Sequence, residues 1–178
     1  MTPAELDGPQ RALYDAIAGG ARATGPQHFA LTRDDGSLRG PFNALLLSPG
    51  LGEAVQQVGA AIRYSGSLDA RSREMAILLV AARWDSAFER EAHEAVGRAA
   101  GLSDDEIAAL RREDTRAFDG AERVVAETAR ELAHGDLSDD TWTRAVTMLG
   151  REQVFELTVL VGYYAMLALQ LRAFRVAP

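Results

Sequence analysis

A chain of 178 residues is the size of one domain and can bury a sizeable core without disulfide or metal staples. Its 47% hydrophobic and 25% charged residues give a globular balance, far from that of a disordered segment. The net charge of −7 argues against nucleic acid and anionic membrane as partners, and the lack of cysteine removes disulfides, thiol nucleophiles and thiolate metal sites together. With a polar start from Met1 to Asp7 and no apolar signal region, the expected location is the cytoplasm.

The elements read as helices from end to end. A first helix covers about Pro9 to Ala18 and stops at Gly19-Gly20. An irregular stretch, Ala21 to Gly40, follows and is read as a lid over a pocket, with Phe42 and Asn43 at its base and His28 within it. A short turn of helix around Phe42 to Leu47 ends at Ser48-Pro49-Gly50. A longer helix then runs from about Leu51 to Tyr64. Asp69 caps a helix to about Arg83, and Asp85 or Ser86 caps the next, which Gly101 closes. Ser103 and Glu106 form a capping box for a short helix that ends near Arg112. Thr115 to Ala133, Ser138 to Leu149 and Arg151 to about Arg175 complete the set. No proline lies between Gly50 and Ala177 to interrupt them. The apolar run Val154 to Leu171 contains Glu156, Gly162, Tyr163-Tyr164 and Gln170, so it is read as a buried core helix, not a membrane span. The expected fold is an all-α, single-domain helical bundle, with residues 1–40 as an N-terminal helix and lid-like loop and 41–178 as the helical domain.

The chemistry is concentrated between Glu74 and His93. Glu74, Leu78 and Ala81 share one helical face, so this carboxylate heads for the core and needs a partner or a raised pKa. On the next helix Ser86, Glu89 and His93 are three and four residues apart on one face, and Glu89 and His93 are spaced to touch. A tight connection at Trp84-Asp85 makes the two helices antiparallel neighbours, which brings Glu74 towards that face. Two carboxylates beside an imidazole form a candidate proton-transfer site. Arg71, Arg73 or Arg83 is the expected counter-charge for a substrate carboxylate. The alternatives for these residues are ordinary: Ser86 as an N-cap, Glu74 as an ion-pair partner, and Arg71 and Arg73 as surface or interface residues. The histidines are too scattered for a zinc site, and no HExxH spacing occurs.

Gly40-Pro41-Phe42-Asn43, Ser48-Pro49-Gly50-Leu51, Leu68-x-x-Arg71-x-Arg73-Glu74-x-x-Ile77-Leu78, Phe88-Glu89-x-x-x-His93 and Ala100-Gly101-Leu102-Ser103 occur in that order. Together they resemble the carboxymuconolactone decarboxylase and AhpD-like family over about Gly40 to Leu110. The family's peroxidase branch uses Cys-x-x-Cys-x-x-x-His, a frame that falls here on Ser86, Glu89 and His93, so thiol peroxidase chemistry is excluded. The decarboxylase branch reads Tyr-Glu-Trp-x-x-His, against Phe88-Glu89-Arg90 with His93 here. The resemblance implies a cofactor-independent, lyase-like acid–base enzyme acting on a small carboxylated lactone or unsaturated acid. Its catalytic group would be His93, Glu89 and Glu74, with Arg73, Arg71, Phe42, Asn43 and Ser86 as substrate contacts and no metal. The resemblance also implies a homotrimer or homohexamer. The alternatives are a non-catalytic binding or scaffold oligomer, and a biosynthetic cyclase or lactone hydrolase on the same fold.

Overall fold

The computed structural model describes residues 1–20 and 30–176. His28 and the first part of the expected lid, residues 21–29, lie outside that set. The described chain carries α1 (Gly8–Ala18), α2 (Phe42–Leu45), α3 (Pro49–Tyr64), α4 (Ala70–Arg83), α5 (Ala87–Ala99), α6 (Asp104–Arg111), α7 (Gly120–Ala133) and α8 (Asp139–Ala173). Short 3-10 turns at Pro3–Glu5 and Thr115–Ala117 complete it. Among the described residues there is no strand beyond a single antiparallel bridge between Thr32 and Leu38, so the fold is all-α and single-domain.

α4 is the axis of the bundle. Every residue from Glu74 to Ala81 is buried, and Met75, Ala76, Ile77, Val80 and Ala81 are fully so. A helix that is apolar all round has no solvent face, and α5, α6, α7 and α8 accordingly surround it. Leu157 and Leu160 of α8, Val125 and Ala129 of α7, and Ile107 and Leu110 of α6 fill the same core. Each such aliphatic side chain contributes about 1.5–3 kcal/mol on burial. A second, smaller core joins α1 to α2 through Leu13, Ile17, Leu38, Phe42, Leu45 and Leu46. It fixes the α2 segment beside the end of the main bundle.

Local chemistry explains most of the boundaries. The Asp69 side chain accepts from the Ser72 N–H at the start of α4, and Ser103 and Glu106 close a reciprocal capping box on α6. Two expectations are revised. Thr115 to Ala133 is not one helix: it breaks between the 3-10 turn and α7, where buried Phe118 precedes Asp119 and Gly120 adopts φ +56°. Ser86 occupies the N-cap position of α5, but its side chain makes no capping bond there.

The two expected C-terminal helices part at Gly150, whose φ 82°, ψ 161° is non-helical, and follow each other closely enough to make up the 35-residue span of α8. By length and composition this run would suffice to cross a membrane, an 18-residue window of it having a mean hydropathy of 1.6. Its inner side nevertheless serves as core, through Val154, Leu157, Leu160, Val161, Tyr164 and Leu167.

Candidate active site

α4 and α5 are joined by a tight turn in which Asp85 adopts φ +46°, and they lie against each other. This places Glu74, near the start of α4, opposite His93, at the middle of α5. His93 Nδ1 lies 2.6 Å from Glu74 Oε2, with the glutamate side chain fully buried and the imidazole nearly so. An ionised carboxylate can only accept, so the ring donates Nδ1–H to Glu74, and Nε2 is the nitrogen left for chemistry.

Burial alone would push the Glu74 carboxyl up. The charge and hydrogen bond of His93, followed by the charges of Arg63 and Arg73, outweigh it, and the net shift is downward. Arg73 supports from behind, with Nε 3.6 Å from Glu74 Oε1.

Glu89 behaves in the opposite way. It is as deeply buried, at 2% exposure, yet neither carboxylate oxygen has a hydrogen-bond partner of normal geometry among the described residues. Burial pushes its carboxyl up to about 8, against a smaller lowering by the Ser86 hydroxyl, with no contribution from Glu74, His93 or any arginine. At neutral pH it is therefore mostly a neutral acid. The expected contact between Glu89 and His93 is not made. The histidine turns to Glu74 instead, because an ionised acceptor on the neighbouring helix is a better partner than a protonated acid on its own.

Around these groups closes a small cavity of about 30 Å3, lined by Pro41, Phe42, Arg63, Phe88, Glu89, Ala92, His93, Tyr163, Tyr164 and Leu167. Tyr164 meets the His93 ring edge-on, with centroids 5.1 Å apart, and Tyr163 meets Tyr164 in the same way at 5.3 Å. Arg63 enters from the end of α3, mostly buried, and hydrogen-bonds the Tyr164 side chain. The α2 segment forms the roof. Gly40, at φ +60°, lies so close to the Phe88 ring that a side chain there would sit 2.3 Å from it, so only glycine allows this closure.

Residues 49–133, from α3 through α7, match the model of the carboxymuconolactone decarboxylase family. Over this helical core the chain is similar to that family. No curated protein matches the chain. The matched segment supplies Arg63, Glu74, Glu89 and His93. The aromatic walls Phe42, Tyr163 and Tyr164 come from either side of it.

Of the residues expected at the site, Glu74, Glu89, His93 and Phe42 come together, with Ser86 beside Glu89 and Arg73 behind Glu74. Arg71 does not join them. It is held by Glu122 at 2.6 Å, Glu106 at 2.5 Å and the Gly101 carbonyl, where it ties α4 to α6 and α7. Asn43 is also elsewhere: it lines a separate hollow with Met1, Arg33, Leu38 and Phe174, because the short α2 helix turns Phe42 and Asn43 to different sides. Arg83 is exposed. The arginine at the cavity is Arg63, which in sequence resembles an ordinary basic residue in the last turn of a helix. The Tyr163-Tyr164 interruption of an apolar run was the only sequence signal for the far wall.

Proposed function

We infer that this cavity is a cofactor-independent acid–base site of the lyase, decarboxylase-like kind, acting on a small carboxylated lactone or related unsaturated acid. The observation that carries the reading is the separation of two equally buried glutamates into an ionised one, Glu74, and a protonated one, Glu89. Neighbouring carboxyls whose environments drive their pKa values apart are the usual signature of an acid and a charged partner in one site. The chain also contains no cysteine and no lysine, so neither thiolate nor Schiff-base catalysis is open to it.

In this reading the C–CO2 bond of the substrate breaks, and its electron pair passes into the unsaturated lactone as an extended enolate. With its ring carrying both protons, His93 is held by Glu74 through Nδ1–H and donates Nε2–H to the developing oxyanion. Glu89 delivers its proton to the carbon that must be reprotonated and recovers one from solvent. Such proton transfer is worth about 10²–10⁴-fold, and fixed charge in a dry cavity supplies much of the rest. The enclosed space is smaller than a lactone, so the roof at Phe42 and Phe88 moves aside on binding.

The test is incubation of purified protein with 4-carboxymuconolactone and related lactone acids in D2O. The reading expects CO2 release with deuterium incorporation, a sharp loss of kcat in His93→Ala, and a rate that declines as pH rises through about 8. No CO2, ring opening or deuterium across the panel would overturn it in favour of a binding or scaffold protein.

Self-association belongs to the same proposal. Exposed Leu51, Val58, Phe155 and Leu169 leave apolar surface on α3 and α8 that a second copy of the chain would cover. Light scattering that gives a monomer mass at micromolar concentration would remove this part.

A further inference from the structure

Several arginines of this protein are paired with carboxylates. Arg71 has Glu106 and Glu122, Arg73 has Glu74, Arg111 has Glu94, and Arg123 and Arg144 share Glu127. Arg63 is mostly buried, yet among the described residues it has no carboxylate within 4.0 Å. Its polar partner is the Tyr164 side chain, and Glu74 acts on it only at longer range. A guanidinium carries five donors in a planar fork, and one phenol leaves most of that capacity for a ligand.

The surrounding charges point the same way. Arg63 and Arg73 contribute two positive charges, Glu74 one negative charge, and Glu89 almost none at neutral pH. The cavity therefore holds excess positive charge, with Arg63 the guanidinium on its wall. A buried excess of one sign calls for a bound counter-ion.

We propose that Arg63, held in place by Tyr164, is the carboxylate-binding residue of this cavity, and that the carboxylate it holds is one that the substrate keeps. The proposal rests on the acid–base reading above and adds the ligand class. The second half follows from transition-state logic. An arginine fork stabilises a carboxylate far more than neutral CO2, so clamping the departing group would favour the ground state and slow its loss. The group at Arg63 is thus an anchor. The departing carboxylate faces the apolar part of the cavity at Phe42, Phe88 and Leu167, where desolvation favours its conversion to CO2. A product that is still an acid remains a ligand for the same residue.

Binding calorimetry with benzoate, and with benzamide as its uncharged counterpart, tests the anchor without requiring turnover. The measurements use the full chain and its Phe42→Ala variant, which removes the roof ring. Benzoate is expected to bind more tightly than benzamide. Arg63→Met should weaken benzoate by about 10- to 100-fold while leaving benzamide unchanged. Arg63→Lys keeps the charge without the fork, so its benzoate-to-benzamide ratio should fall between those two. It also decides the matter if the methionine variant fails to fold. Equal benzoate affinity with and without Arg63, an unchanged acid-to-amide ratio in Arg63→Lys, or no saturable benzoate binding in either background overturns the proposal. Absence of CO2 release from the lactone panel, with Arg63-dependent benzoate binding intact, would instead remove the decarboxylase reading and leave the anchor standing.

Discussion

Glu74 and Glu89 sit on neighbouring helices of the same bundle, and both are almost inaccessible to water. Their fates differ because of what surrounds them. Glu74 has an imidazole at 2.6 Å and an arginine at 3.6 Å, so its charge is favoured despite burial. Glu89 has only the Ser86 hydroxyl to oppose desolvation, so its proton is retained to about pH 8. Burial alone therefore does not set the state of a carboxyl; the charges within reach of it decide.

The largest effect is expected from removing the paired carboxylate. Glu74→Ala leaves a buried imidazole and Arg73 without their acceptor, which should cost about 3–5 kcal/mol in urea unfolding at pH 7. It should also abolish most turnover. The sign is that of a lowered carboxyl pKa: the contribution of Glu74 is present above its unfolded value of 4.5 and is lost as pH falls through its lower folded value.

Glu89→Gln should act in the opposite direction on stability. A raised carboxyl pKa means that stability is fully present below 4.5 and is lost as pH rises towards about 8. The neutral amide removes that loss, so the variant should gain about 3–5 kcal/mol over the parent at pH 8.5 and little at pH 4.5. The same substitution should lower kcat by about 10²–10⁴-fold, which stability cannot explain.

A smaller effect is expected at Arg71, whose partners Glu106 and Glu122 are partly solvated. Arg71→Ala should cost about 1 kcal/mol or somewhat more, read as a fall in Tm that shrinks in high salt. The smallest belongs to Ser86→Ala. Loss of its hydroxyl should move the pH midpoint of the Glu89-linked stability change upward, because the only group that lowers that pKa is gone.

The helical fold was legible because its boundaries are written in short-range chemistry: Asp69, Ser103 with Glu106, and the glycines at 101 and 150 each mark an end. The break before Gly120 was not, since Thr115 to Ala133 has helical composition and only the burial of Phe118 forces the chain aside. At the site, spacing placed Glu89, His93 and Glu74 together but assigned the histidine to the wrong glutamate. An i, i+4 spacing permits a contact without requiring it, and the choice between two acceptors depends on the charges that the tertiary fold brings near. Arg63 and Tyr164 were hidden for a related reason: they are about a hundred residues apart, and nothing local reports that they meet.

The most direct test of this account is a carbon-13 NMR titration of the glutamate side-chain carboxyls, with the two signals assigned through Glu74→Gln and Glu89→Gln. The account predicts that the Glu89 signal titrates near pH 8, while the Glu74 signal stays ionised to below the ordinary glutamate value of 4.5. Both signals titrating together in the ordinary carboxylate range would contradict it.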